Sequence, residues 1–368
     1  MSKPVVTAIG LMSGTSLDGI DVAMLTTDGE EHVVPGPNAT FVFGDTQRTL
    51  LRRALEAAKS VRQRDDRTGV LAEAEDALTR WHAESVKAFC ANNRVNLENI
   101  EIIGFHGQTV VHRPEQRLTV QLGDGAALAK ALGRPVAHDL RAADVAAGGQ
   151  GAPLVPVYHR ALAAGMADRP VAFVNIGGVA NVTWIGRDGE LLAFDTGPGN
   201  ALIDDWMKHH AGSARDEGGK TALSGHVNEA ALARFLGDGF FEKPGPKSLD
   251  RNSFANINLN ELSVADGAAT LAAVTARSIA MSRQHMRENP SLWIVCGGGR
   301  HNEAIMQALR SLVLAVVSAD AFGFNGDSIE AEAWAYLAVR SLYGLPLTFP
   351  GTTGVGQAIT GGVISRPQ

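Results

Sequence analysis

The residues of this chain that can do chemistry gather in glycine turns. Ser13-Gly14-Thr15-Ser16, followed by Asp18-Gly19, offers hydroxyls, small residues and exposed backbone N–H groups, the equipment for wrapping phosphate oxygens. Asp18 or Asp21 can then orient a hydrated Mg2+, which anionic phosphates require. The turn Ile176-Gly177-Gly178-Val179-Ala180-Asn181 is small and backbone-rich in the same way, and two such turns facing one another would clamp a polyphosphate. A third cluster, Cys296-Gly297-Gly298-Gly299, lies between an apolar strand and a helix over 302–311, where a base or ribose can lie against the backbone. Polar turns of this composition also occur with no ligand at all.

One carboxylate shares such a setting. Leu191-Leu192-Ala193-Phe194 reads as a buried strand that ends on Asp195, and the Gly197-Pro198-Gly199 turn then opens the backbone ahead of a helix over 201–208. In open α/β sheets ligands collect at such strand ends, although the position equally suits an ordinary helix cap. Two familiar fingerprints fail. The third glycine cluster does not satisfy GxGxxG, and Gly218-Gly219-Lys220-Thr221 has Ala214 where a Walker A loop needs glycine, so it reads as a solvated loop.

The elements that must position these turns repeat. VVTAIGLM, IDVAMLTT and HVV form one strand-turn-strand-turn-strand run near the N-terminus; VAFVNI, NVTWI and LLAF form another about half a chain later, each with an Asp-Gly-Glu turn. This spacing suggests a duplicated domain, with chance as its rival. From Gln47 to Ala91 the apolar spacing is helical, and Arg62, Arg64, Asp65 and Asp66 read as a solvated face or loop. His106, Gln108 and Thr109 follow a buried-looking strand, where a lone histidine is more often structural. Asp139 and Arg141 follow another, ahead of a Gly148-Gly149-Gln150-Gly151 loop suited to a small polar ligand. Helical patterns cover 267–288 and 328–343, the second with Glu330 in its first turn, and the tail LPLTFPGTTG resembles the end of a domain.

Composition narrows the class. The chain has 368 residues, 45% of them hydrophobic, a net charge of −6 and 41 glycines, which fits a two-domain globular protein with many tight turns. At a pI of about 6.0 there is no general reason to hold nucleic acid or an anionic membrane. Cys90 and Cys296 form no metal-ligand spacing, and with no signal peptide or membrane-spanning run the expected compartment is the reducing cytoplasm.

Taken together, GLMSGTSLDGID, GFHGQTVVH, TVQLGD, DVAAGGQGAPLVP, NIGGVANVT, FDTGPGN, Pro246-Lys247-Ser248, CGGGRHN and Glu330 with AWAYLA resemble the anhydro-N-acetylmuramic acid kinase family, in one consistent order from about Gly10 to Gly354. The resemblance implies an α/β protein of two ribonuclease-H-like (actin-like ATPase) domains flanking a nucleotide and sugar cleft. It places 1–135 plus about 331–368 in the first lobe and 136–330 in the second. By it, Gly14, Thr15, Ser16, Leu17, Asp18, Gly19, Ile20 and Asp21 form the first phosphate loop, Gly177 and Gly178 belong to the second, and Gly297, Gly298 and Gly299 lie near adenosine. Asp195 matches the family's catalytic base and Glu330 a carboxylate near the sugar. His106, Gln108, Asp139, Arg141, Gly197, Gly199 and Asn200 fall in motifs around the substrate.

The implied reaction uses ATP and Mg2+. Water attacks the anomeric carbon of the 1,6-anhydro sugar, the internal bridge opens, and the freed oxygen takes the γ-phosphoryl group, in the recycling of cell-wall peptidoglycan. Expected partners are the sugar and ATP, without nucleic acid or membrane; a homodimer is left open. The chain departs from the family pattern where Ala142 and Ala143 follow Arg141 in place of further arginines, and where Leu249-Asp250-Arg251 replaces Thr-Gly-Arg after the lysine-serine pair. A 1,6-anhydroglucose kinase and a non-catalytic ATP-driven clamp are the rival readings.

Overall fold

A computed structural model describes residues 3–167, 169–249, 254, 259 and 261–368; Asp250 and Arg251, where the chain departs from the family pattern, lie outside them. In chain order the strands are β1 (Val6–Ser13), β2 (Gly19–Thr27), β3 (Val33–Val42), β4 (Ile102–Arg113), β5 (Leu118–Leu122), β6 (Val136–His138), β7 (Val171–Ile176), β8 (Val179–Ile185), β9 (Leu191–Pro198), β10 (Leu292–Cys296), β11 (Val316–Ser318) and β12 (Val363–Ser365). They form two sheets in two compact units, residues 1–164 with 328–368 and residues 165–327.

The first sheet has the order β12-β6-β4-β1-β2-β3, with β5 on the far half of β4. β1 to β3 form an antiparallel meander; β4 lies parallel to β1, and β6 parallel to β4. The second has the order β11-β10-β7-β8-β9, an antiparallel meander from β7 to β9 with β10 and β11 added parallel beside β7. The two units therefore repeat one strand order and one set of strand directions, the ribonuclease-H-like sheet expected from the duplicated hairpins. Buried runs such as Leu-Trp-Ile-Val-Cys on β10 suit strands covered on both faces.

Several boundaries differ from the sequence reading. The stretch 136–164 belongs to the first unit, not the second, because β6 pairs with β4 and β12. The tail does not end at the TFPGTTG stretch, since β12 follows and closes that edge. Gln47–Ala91 divides into helices Asp45–Ala57 and Val70–Asn93, with a turn segment between them. The loop around Gly218 is instead a 3-10 turn, Glu217–Gly219, and a short helix, Lys220–Leu223, whose Thr221 and Ala222 N–H groups are capped by buried Asp216 at 2.8 and 2.9 Å.

The helix Ile329–Leu342 lies on the middle of the first sheet. Its approach is permitted by a glycine on each of two neighbouring strands, Gly10 of β1 and Gly104 of β4, which stand side by side in register. A Cβ on Gly10 would enter the backbone of Ala331 and Ala335, and one on Gly104 the backbone of Trp334. The helix is further pinned by buried Glu332, which accepts from the Tyr158 hydroxyl and the Ser328 hydroxyl, each at 2.7 Å. Gly10→Ala should therefore destabilise the fold by about 2 kcal/mol or more, towards the upper end of overpacking costs. A thermal melt coinciding with that of the parent would contradict this account of the close approach.

Candidate functional site

In the second unit the sites expected at three glycine turns converge on the carboxyl ends of β7 and β10. The Gly199 N–H donates to the Gly178 carbonyl at 3.0 Å and the Asn200 N–H to the Gly177 carbonyl at 2.7 Å, while the Asn200 amide reaches the Ile176 carbonyl at 3.2 Å. Gly197, Gly199 and Asn200, expected in the substrate region, thus fasten one turn to another. Packing requires glycine at Gly199, whose added Cβ would strike the Gly177 carbonyl, and at Gly299, where it would strike Ile176. It does not require glycine at Gly177, Gly178 or Gly298: an added Cβ would meet nothing closer than 3.5 Å, and none has a left-handed backbone. Gly178 and Gly298 are exposed, so what their bareness serves lies outside the protein's own packing.

A buried guanidinium organises the turn after β10. Arg300 is 3% exposed and makes a two-pronged pair with Asp327 at 2.7 Å, a bond to Asp320 at 2.8 Å and another to the Gly297 carbonyl at 3.1 Å. This cage fixes segment 320–327 beside the glycines, through the fork geometry that only arginine offers. The sequence reading missed it, although an arginine directly after three glycines was the available signal.

Asp195 does not end its strand. β9 continues to Pro198, and the register shifts so that Asn181 faces Asp195 while Ala180 faces Gly197, leaving Thr196 as the extra residue of a bulge. Bulges re-aim side chains, and this one lies immediately after the carboxylate. Segment 247–249 runs alongside: the Asp195 N–H donates to the Lys247 carbonyl at 3.0 Å, and the Leu249 N–H donates to Asp195 Oδ2 at 2.8 Å. The Lys247 ammonium does not face the aspartate; it donates to the Phe240 carbonyl at 2.8 Å and lies over the Phe240 ring. Burial raises the Asp195 carboxyl to about 6, with the Leu249 N–H the opposing influence.

In the first unit the loop from Ser13 to Asp18 joins β1 to β2. Leu17 adopts a left-handed backbone at φ 60° with its side chain buried, a local strain of the kind stored at ligand-binding turns. Gly14, like Gly178 and Gly298, has no packing reason to be glycine, and Thr15, Ser16 and Asp18 are exposed around it. Gly19 and Ile20 are instead buried in the β2–β3 ladder. Asp21 accepts from the Thr40 hydroxyl at 2.6 Å.

The loop is tied to the middle of β4. Gln108 Nε2 donates to the Gly14 carbonyl at 3.1 Å, the Ser13 hydroxyl to the Gly107 carbonyl at 2.9 Å, and the His106 ring Nδ1 lies 3.2 Å from the Ser13 carbonyl. Arg141 approaches the other His106 nitrogen, Nε2, at 3.1 Å, and its guanidinium lies 5.2 Å over the Trp334 ring, on which His106 also packs. Arg141 can only donate, so Nε2 is the acceptor and the imidazole is neutral, with its proton on Nδ1. Burial and the Arg141 charge hold His106 well below its ordinary value. Burial lowers Arg141 to about 10, opposed by the Glu330 and Asp144 carboxylates. Asp139, at φ 56°, pairs with Arg64, which lies in the exposed loop that its surroundings in sequence suggested.

The model for anhydro-N-acetylmuramic acid kinase matches residues 6–367. The chain belongs to that family. Relatives named anhydro-N-acetylmuramic acid kinase include one from Rhodopseudomonas palustris, 54% identical over 98% of this chain and 99% of its own length, and one from Agrobacterium fabrum, 51% identical over 98% of each. Among solved structures, an activator of 2-hydroxyisocaproyl-CoA dehydratase from Clostridium difficile aligns over 92% of this chain and 96% of its own, at 13% identity and a TM-score of 0.45. Within the kinase family the distinction among glycines has a direct test. Gly298→Ala and Gly14→Ala should each melt within about 1 kcal/mol of the parent, as surface changes do, yet weaken ATP binding at least about tenfold. Gly299→Ala should instead unfold; equal ATP affinity in all the folded variants would remove the ligand from the explanation.

Proposed function

We propose that the protein is an ATP-dependent kinase that hydrolytically opens 1,6-anhydro-N-acetylmuramic acid and phosphorylates its O6, giving N-acetylmuramate 6-phosphate and ADP for peptidoglycan recycling. The observation that carries this reading is Asp195, a carboxylate raised to about 6 by burial in a chain that matches the family from residue 6 to residue 367. A carboxylate made more basic by lost solvation is suited to take a proton from water near neutral pH.

In this reading Asp195 Oδ2 stays with the Leu249 N–H, while Oδ1 accepts the proton of the water that attacks C1. The C1–O6 bond breaks and O6 bonds to the γ-phosphorus of ATP as the bond to ADP breaks. No acid is then required for the leaving oxygen, which an inverting glycosidase must protonate. The bare backbone at Gly14 in the first unit, and that at Gly178 and Gly298 in the second, each offers N–H groups to phosphate oxygens, and preorganised donors of this kind lower the barrier as charge shifts. Glu330, in the first turn of its helix and close enough to favour the charged form of Arg141, is assigned to the sugar.

Mg2+ is assigned to Asp18 and Asp21 through water. Among the described residues no group of three His, Cys, Asp or Glu side chains forms a metal cage. Such a cation neutralises phosphate charge during transfer. A cytoplasmic setting is supported by two free, buried cysteines and the need for ATP; among the described residues no helix is long and apolar enough to cross a membrane.

Turnover in 18O water should place solvent oxygen at C1 of the product. Because the base works deprotonated, kcat should fall about tenfold per unit as pH drops below about 6 and level off above it. Asp195→Asn keeps an acceptor for Leu249 and removes a buried charge, so it should melt no lower than the parent while losing about 10³-fold or more in kcat. Retained turnover in that variant would take the base role away from Asp195.

A further inference from the structure

The middle of β4, the strand β5 and the carboxyl end of β6 enclose a cavity of about 190 Å³ within the first unit, lined by Arg64, Arg67, His106, Gln121 and Asp139 among others. Its two guanidiniums differ in kind. Arg67 is a structural clamp: it pairs with Glu75 at 2.8 Å and donates to the carbonyls of Arg64, Asp66 and Gln121. Arg64 is held from behind, since Arg67 fixes its carbonyl at 2.8 Å and its own Nε donates to the Thr119 carbonyl at 3.3 Å. Its Nη2 pairs with Asp139, and among the described residues Nη1 has no hydrogen-bond partner.

The segment that carries Arg64 is itself tied down. The Arg62 and Gln63 N–H groups both reach Asp66, at 3.0 and 3.1 Å, and Arg113 donates to the Val61 and Lys59 carbonyls at 3.1 and 3.0 Å. An arginine side chain in such a frame loses little entropy on meeting a ligand. The Arg64 side chain is 47% exposed and that of Asp139 24%, so their pair is open to water on the arginine's side, where screening weakens an ion pair. Sharing Arg64 with a second carboxylate is therefore inexpensive. The His106 ring in the same wall is neutral and adds no competing charge.

We propose that Arg64 is the specificity residue for the acidic arm of the substrate: the open edge of its guanidinium receives the carboxylate of the lactyl ether that distinguishes muramic acid from glucosamine. This rests on the functional reading above and assigns to that reaction a residue from the segment between two helices, outside every motif of the phosphate loops. A three-carbon acid fits the volume. A carboxylate matches the unoccupied guanidinium edge in charge and in planar geometry.

The test compares the parent and Arg64→Ala on 1,6-anhydro-N-acetylmuramic acid and on the methyl ester of the same sugar. With the acid, Arg64→Ala should raise KM about 10- to 100-fold, the range for losing a charge-assisted hydrogen bond, with kcat and the KM for ATP within about threefold of the parent. With the ester, parent and variant should agree within about twofold, because the charge that Arg64 reads is gone. Unchanged ATP parameters report that the variant is folded; Arg64→Lys should recover part of the loss. Equal losses on acid and ester, an unchanged KM for the acid, or an effect confined to ATP would overturn the assignment to Arg64 alone. A parent that turns over neither sugar would overturn the functional reading and the Arg64 assignment with it.

Discussion

A carboxylate taken out of water, with a single N–H to compensate among the described residues, is the constraint on which the second unit depends. Asp195 would be an ordinary ion pair if the Lys247 ammonium lay beside it, and its proton affinity would fall accordingly. Lys247 instead anchors its own segment through the Phe240 carbonyl and the aromatic face above it, and contributes to the aspartate only its backbone carbonyl. The segment therefore aligns Oδ2 without quenching the charge. A raised proton affinity makes a stronger base, and a value of about 6 leaves most of that base ionised at neutral pH.

The glycines divide into those that packing requires and those that it does not. Gly10, Gly104, Gly199 and Gly299 are filled by neighbouring backbone or side chains, and each is explained by a close approach. Gly14, Gly178 and Gly298 have room for a Cβ at ordinary contact distance, at turns that follow β1, β7 and β10. In each unit the first strand of the meander ends at one of these turns, so a duplicated sheet has produced two turns of one design. The second unit adds a third turn after β10, made rigid by Arg300 and its two aspartates.

Much of this was legible in the sequence because it is local. Apolar runs broken by Asp-Gly and Gly-Gly turns specify the two meanders, and the glycine clusters mark the turns that each unit brings to its strand ends. What escaped is non-local. β6 is three residues long, and it joins the first sheet by pairing with β4 on one side and with β12, more than two hundred residues away, on the other. Arg64 sits among charges that resemble a solvated run, and only the fold brings it to Asp139. The bulge at Thr196 depends on the register against β8, so the strand could not be read past Asp195. Glu330 drew attention as the helix-start carboxylate, whereas Glu332, two residues on, is the buried one that pins the helix.

Buried titratable groups pull in both directions as pH falls. His82 and His159 are held at about 4 and about 3 by burial, and His106 well below its ordinary value, so all three stay neutral in the folded chain. Between those values and 6.5 the unfolded chain binds protons that the folded one refuses; the histidines therefore favour folding above 6.5 and withdraw that support as the pH drops below it. Asp195 has the reverse sign: between about 6 and 3.8 the folded carboxyl binds a proton that the unfolded one does not, which favours folding in acid. Glu332, a carboxyl of the first unit raised by burial, shares that sign. Within the first unit the order of events follows from Arg141. Protonating His106 would place two cations 3.1 Å apart and remove the acceptor that orients the guanidinium, releasing the tie from Arg141 through the imidazole to the Ser13 carbonyl. Neutrality of that one ring is what joins the arginine to the loop that starts at Ser13.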